Sequence, residues 1–197
     1  MFGGTTYSKD IDGWVVSWES LDCYRFWCKQ EHPANSKVAA VVMLNPGNLS
    51  GDGKNLSRDT TLRVLRKIFE GTSYNPFVIN LFNLATPKSR EFFEAWNNRD
   101  HLAFNYSTLP IQEFTFVMYA YGDYENRKDY PLEIKERISE IRGFMNSVPE
   151  ISVPRNKSGT PKHPLSVQRQ CLKEKFRQAI ISNAMSKSLN GASGLRP

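Results

Sequence analysis

Residues 38–44 (VAAVVML) form an unbroken apolar, β-branched run, the pattern of a strand buried on both faces. The run stops at Asn45-Pro46-Gly47, a turn signal, and a polar stretch over 48–58 follows. Asp59 then stands where it can cap a helix over about 60–70, with Leu62, Leu65, Ile68 and Phe69 on its inner face and Gly71 at its end. Residues 76–82 (PFVINLF) and 114–120 read as two further strands. A helix is expected from 89 or 90 to about 104, with Phe92, Phe93 and Trp96 on one side. Pro131 suits the first turn of a helix running to about 145. Residues 148–153 read as a short fourth strand, and Ser166 as the cap of a last helix reaching about 186. Ahead of these, 14–17 reads as an edge strand and 21–30 as a short aromatic helix.

Strands alternating with helices argue for an α/β fold with an open, mainly parallel four-stranded sheet covered on both faces. No repeat or linker divides the chain, so the expectation is one domain over 1–188 with a flexible tail, rich in Gly, Ser and Asn, over 189–197. A length of 197 residues and 40% apolar content suit one ordered globular unit. No apolar run approaches the roughly 20 residues that a bilayer span needs, so no membrane partner is expected. The first ten residues lack a basic start and an apolar stretch, and three cysteines (Cys23, Cys28, Cys171) form no CxxC. Both features suit a cytoplasmic protein with reduced thiols.

The net charge of +6 is uneven. From Arg155 onward nine Lys or Arg face one Glu, a net of +8, which leaves −2 for residues 1–154. Lys162, Arg169 and Lys173 belong to this basic segment and suit phosphate groups of a nucleic acid or nucleotide; a solvated helix face is the plainer alternative.

In open parallel sheets ligands lie beyond the carboxyl ends of the strands. Asn45 follows the first clear strand, Asn80 lies near the end of the second, and His163 follows the fourth. Amides both donate and accept, as reading a base edge requires, and an imidazole can donate to an oxygen that gains charge during bond cleavage. Each residue also has a structural reading: a turn for Asn45, an internally paired amide for Asn80, a surface loop for His163. The segment Arg58-Asp59-Thr60-Thr61-Leu62-Arg63 places Asp59, hydroxyls such as Thr61, Arg63 and the positive end of a helix near the same crevice. It suits a phosphate or a water, or else is an ordinary cap.

Other motifs fail. The glycines of GNLSGDGKN are spaced one residue away from a phosphate-cradling loop, and Asn55 occupies its magnesium position. Three histidines show no metal spacing, there is no GxSxG, and four thiolates for an iron–sulfur cluster are lacking. No metal and no cofactor is expected.

The ordered set Tyr24-Arg25, Met43-Leu44-Asn45-Pro46, Asp59-Thr60-Thr61-Leu62-Arg63, Asn80-Leu81-Phe82, Ala85-Thr86-Pro87, Tyr121-Gly122 and Pro161-Lys162-His163-Pro164-Leu165 resembles the bacterial and phage family called domain of unknown function 1643. More distantly, the order of motifs is similar to the uracil-DNA glycosylase superfamily. That resemblance implies a three-layer α/β/α sandwich and an N-glycosidase. Asn45 in Asn45-Pro46-Gly47 would position the attacking water, Asn80 would read the base, and His163 would stabilise the base oxygen. Pro46 and Gly47 would line the substrate site, with Phe82 or Tyr121 as the stacking aromatic; Asp59, Thr61 and Arg63 join that lining from their own place near the crevice rather than from the resemblance. The loop after His163 lacks a Ser-Pro pair of those enzymes, and Arg58 to Arg63 has no counterpart there.

Three functions remain open on the sequence: cleavage of an N-glycosidic bond in DNA or a free nucleotide, recognition of a nucleotide or nucleic acid without chemistry (as in phage–host conflict), and a basic partner-binding module on the last helix.

Overall fold

A two-residue turn opens the structure. Asp12 and Gly13 have φ of 53° and 78°, the left-handed pair that joins two twisted antiparallel strands tightly. The computed structural model describes residues 4–47, 59–86, 94, 106–126, 131–167 and 170–192. Within them lie strands β1 (Thr5–Ile11), β2 (Trp14–Leu21), β3 (Tyr24–Glu31), β4 (Lys37–Met43), β5 (Tyr74–Asn80) and β6 (Phe114–Tyr119), and helices α1 (Thr60–Phe69), α2 (Pro131–Phe144) and α3 (Gln170–Ala192).

The six strands form one sheet in the order β1-β2-β3-β5-β4-β6. β5, β4 and β6 are parallel; β1, β2 and β3 form an antiparallel meander joined to the edge of β5. The α/β class stands, but the expected four-stranded, mainly parallel sheet of a glycosylase-like sandwich is corrected to a six-stranded mixed one. The difference arises in the first 31 residues. The stretch expected as an aromatic helix over 21–30 is strand β3, in which Tyr24, Phe26 and Trp27 fit a pleated, half-buried surface. The short edge strand expected at 14–17 continues to Leu21, and β1 takes the edge.

At the opposite edge, residues 148–153 do not form a strand. They touch β6 through a single parallel bridge, Val117 to Glu150. Pro149 and Pro154 lack the N–H groups a longer ladder would need. The chain after His163 makes a short 3₁₀ turn, Pro164–Val167, before α3 begins at Gln170, rather than entering a helix directly from Ser166. The helix expected near 89–104 lies outside the described residues apart from Glu94, which is helical.

Helices cover both faces of the sheet. On one face Leu62, Leu65, Ile68 and Phe69 of α1 and Phe176 and Ile180 of α3 pack on Cys28, Val41, Met43, Val78 and Met118. On the other, Ile134, Ile138 and Ile141 of α2 pack on Val42, Phe77, Ile79, Val117 and Tyr119. No helix among the described residues is long and apolar enough to cross a membrane.

Candidate functional site

The parallel strands end together. Met43 pairs with Asn80 and Val42 with Tyr119, and the ladder runs on: Leu81 N donates to Met43 O (2.9 Å), Phe82 N to Leu44 O (2.9 Å), and Ala120 N to Val42 O (2.7 Å). The chains leaving β4, β5 and β6 therefore form one mouth, in which Asn45 fixes the first two loops to each other. Its Nδ2 donates to Pro46 O (2.8 Å) and Thr86 O (2.8 Å), with Leu84 O at 3.5 Å. Thr86 N returns a bond to Pro46 O (3.2 Å). The amide nitrogen is thus engaged by main chain, while Oδ1 has no hydrogen-bond partner among the described residues. That oxygen can accept from a water and orient it, but cannot take its proton.

Asn80 shares its face of the sheet with Val78, two residues earlier, which places it under α1. It is 1% exposed, and its Nδ2 has no hydrogen-bond partner among the described residues. Buried amide donors are nearly always paired in folded proteins, so this group is an open position for an acceptor.

Asp59, at the start of α1, has both carboxylate oxygens engaged. Oδ1 accepts from Thr61 N (2.9 Å) and Leu62 N (3.1 Å), the N-cap arrangement, and Oδ2 accepts from Arg25 Nη2 (3.3 Å). Both side chains are at least nine-tenths buried. Arg25 reaches α1 because of a bulge in β3. Glu19 pairs with Trp27 but Ser20 pairs with Arg25, so Phe26 is an extra residue. Phe26 and Trp27 consequently both pack on the α2 face, and Arg25 turns to the α1 face. Cys28 on the same face is buried, and burial pushes its thiol up to about 12, so it is an inert packing group.

His163 enters from the far side. Residues 155–161 form a small turn closed by the bridge between Arg155 and Pro161, and Lys162 N donates to Pro154 O (2.9 Å). Leu165 N donates to His163 Nδ1 (3.1 Å), so Nδ1 is the acceptor nitrogen and the proton sits on Nε2. Burial pulls this imidazole down to about 4, against the Asp59 charge, which pulls it up. His163 is therefore a neutral N–H donor at pH 7. Gly122, with φ of +88°, gives it room: a Cβ there would stand 3.3 Å from the Cβ of His163. The turn after His163 packs on α1.

Asp59 and His163 thus interact at the α1 side of the mouth, and Asn80 ends its strand on that same face of the sheet. Pro46 is buried and serves as a main-chain acceptor; Gly47 is exposed. Thr61 contributes its backbone N–H to Asp59, and the Arg63 side chain is exposed on α1. Both aromatic candidates lie on the opposite face, in the core with α2. Phe82 is 3% exposed, and the Tyr121 hydroxyl donates to Glu125 Oε2 (3.2 Å). Tyr121 also lines a separate polar pocket of about 420 Å³ with Glu125, Arg142, Arg155 and Thr160. Lys162 and Lys173 are partly exposed, and Arg169 lies outside the described residues. Among the described residues no three His, Cys, Asp or Glu groups gather as metal ligands. Sequence reasoning singled out every residue of the cluster except Arg25, whose only signal was its place beside Tyr24 in the ordered motif set.

A family profile described as "Protein of unknown function (DUF1643)" matches residues 24–165. No curated protein and no solved structure matches the chain. The matched span opens at the first residue of β3 and closes at Leu165, so it contains Arg25, Asn45, Asp59, Asn80 and His163.

Proposed function

The chain belongs to the DUF1643 family, and we propose that it reads a nucleobase at the mouth of its parallel strands and cleaves the base's N-glycosidic bond, in DNA or in a free nucleotide. The observation that carries this reading is the Asn80 amide: buried, placed at a strand end, and with a donor that nothing among the described residues satisfies. Asn80 holds the base edge. His163, neutral and protonated on Nε2, donates to the base oxygen as charge builds there. Asn45 Oδ1 holds the water that adds to the sugar carbon as the bond to the base nitrogen breaks; the departing base keeps that bond's electron pair, and the proton the water loses ends on it. Where DNA is the substrate, the base leaves the stack to reach Asn80, and Lys162 and Lys173 lie on the basic segment that meets flanking phosphates.

A second reading is favoured by Asp59, the buried carboxylate of the cluster. Both of its oxygens are engaged by the helix cap and Arg25, and this suits recognition of a nucleotide or nucleic acid without turnover. The two readings part in one experiment. Full-length protein is incubated with single- and double-stranded oligonucleotides carrying normal, mismatched and modified bases, and with free nucleotides, and released base is measured by mass spectrometry. Release that disappears in Asn45→Ala supports hydrolysis. Binding with no release from any substrate supports recognition alone.

A further inference from the structure

Two guanidinium groups, Arg25 and Arg66, are nearly fully buried on the α1 face of the sheet, where the buried carboxylate is Asp59. Arg66 donates to Gln30 Oε1 (2.9 Å) and to Asp12 Oδ2 (3.1 Å). The Asp12 side chain is 71% exposed, so water screens its charge while that of Arg66 remains inside. Both arginines bear on the buried Cys28 thiol in the sense of positive charge. Among the described residues the buried part of this face is therefore net positive.

Arg25 is also short of acceptors. Its Nη2 faces Asp59, while Nε and Nη1 are buried without a partner among the described residues. A surface ion pair leaves the remainder of a guanidinium in water; here the remainder is away from water as well. Arg25 N donates to Asn83 O (2.9 Å), which sets the start of β3 beside the chain leaving β5. The Nδ2 of Asn80, the donor assigned to the base edge, lies at that same end of the neighbouring strand. The open groups of Arg25, Nε and Nη1, are both donors, so what completes them is a group that accepts, and the excess positive charge selects an anionic one. The end of α1 does not compete for it, since Asp59 already caps Thr61 and Leu62.

We propose that Arg25, next to the Asn80 amide that takes the base edge, forms a buried oxyanion subsite that takes a phosphate group of the nucleotide. This deepens the base-reading proposal and rests on it for the nucleotide, though the two can fail separately. The phosphate can come from a free 5′-monophosphate or from a phosphodiester of a strand.

The test is calorimetric titration of the full chain with the four common deoxynucleosides, their 5′-monophosphates, inorganic phosphate and short single strands. At least one monophosphate or strand is expected to bind about tenfold tighter than its nucleoside, a charge-assisted advantage lost in Arg25→Gln. Should Arg25→Gln fail to fold, the wild-type urea transition is followed as phosphate is added at low millimolar concentration to a constant chloride background; the midpoint is expected to rise and saturate, as binding at one site requires and general salt exclusion does not. Nucleosides binding as tightly as monophosphates and strands, with no phosphate effect on the midpoint, overturn the subsite and leave the base reading standing. A raised midpoint with monophosphates binding no better than inorganic phosphate supports the subsite and sinks the base reading. Preference for the strand or for the monophosphate identifies the source, and either supports the subsite.

Discussion

Arg25 and Asp59, 34 residues apart in the chain, meet through a single Nη2–Oδ2 contact of 3.3 Å with both side chains almost wholly buried. Removing one partner leaves the other charged and out of water, which typically costs about 3–5 kcal/mol. Arg25→Met is therefore expected to lower unfolding free energy by roughly 3 kcal/mol or more in urea titrations. Asp59→Ala should cost more than Asp59→Asn, because alanine also loses the cap on Thr61 and Leu62, worth about 1 kcal/mol. Equal losses for the two Asp59 variants would show that the cap adds nothing.

How much of this was legible in the sequence follows from the physics of each element. β4 and β5 are buried on both faces, so their apolar runs declare them, and α1 declares itself by the spacing of Leu62, Leu65, Ile68 and Phe69. The meander was hidden because 21–30 mixes aromatic and charged residues without a clean alternation, and the extra residue Phe26 breaks the period of two. The Asp12-Gly13 pair between flanking strand-like residues was the signal that could have revealed it. At 148–153 the apolar positions suggested a strand, while the flanking prolines decided against one. Asn45, Asn80 and His163 could be found from strand ends alone. The partner of Asp59 could not, because it depends on a bulge and on a long-range strand pairing.

Asn45 has two separable duties. Its Nδ2 holds the main-chain oxygens of Pro46 and Thr86. Asn45→Asp would set a carboxylate oxygen against those carbonyls, and a loss of about 1–3 kcal/mol is expected from the unmet acceptors. Thermal unfolding of Asn45→Asp and Asn45→Ala measures this directly. An aspartate variant as stable as the wild type would remove the clamp from the account.

His163 makes stability depend on pH. Its folded value of about 4 lies below the ordinary histidine value of 6.5, so the unfolded chain takes up a proton first as pH falls. The contribution of neutral His163 is full above about 6.5 and is lost as pH falls toward 4. Urea titrations at several pH values should show stability falling through this window, with a shallower fall in His163→Gln. An unchanged slope in that variant would place the dependence elsewhere.

Gly122 combines a φ of +88° with a tight approach to His163. Gly122→Ala is expected to cost about 1–3 kcal/mol from backbone strain. It should also shift the His163 ring signals in an NMR spectrum. A variant with wild-type stability and an unmoved imidazole would show that this approach is not confining.

Under the proposed function, the buried Asn80 amide takes an acceptor on a nucleobase. The side-chain ¹⁵N–¹H signals of Asn80, assigned by their absence in Asn80→Asp, can be followed while nucleosides of different bases are added to the full chain. The account predicts that one base class moves these signals and that the same additions leave the fold of Asn80→Asp intact but unresponsive. Signals that stay fixed with every base, or that move equally with a base-free sugar, would contradict it.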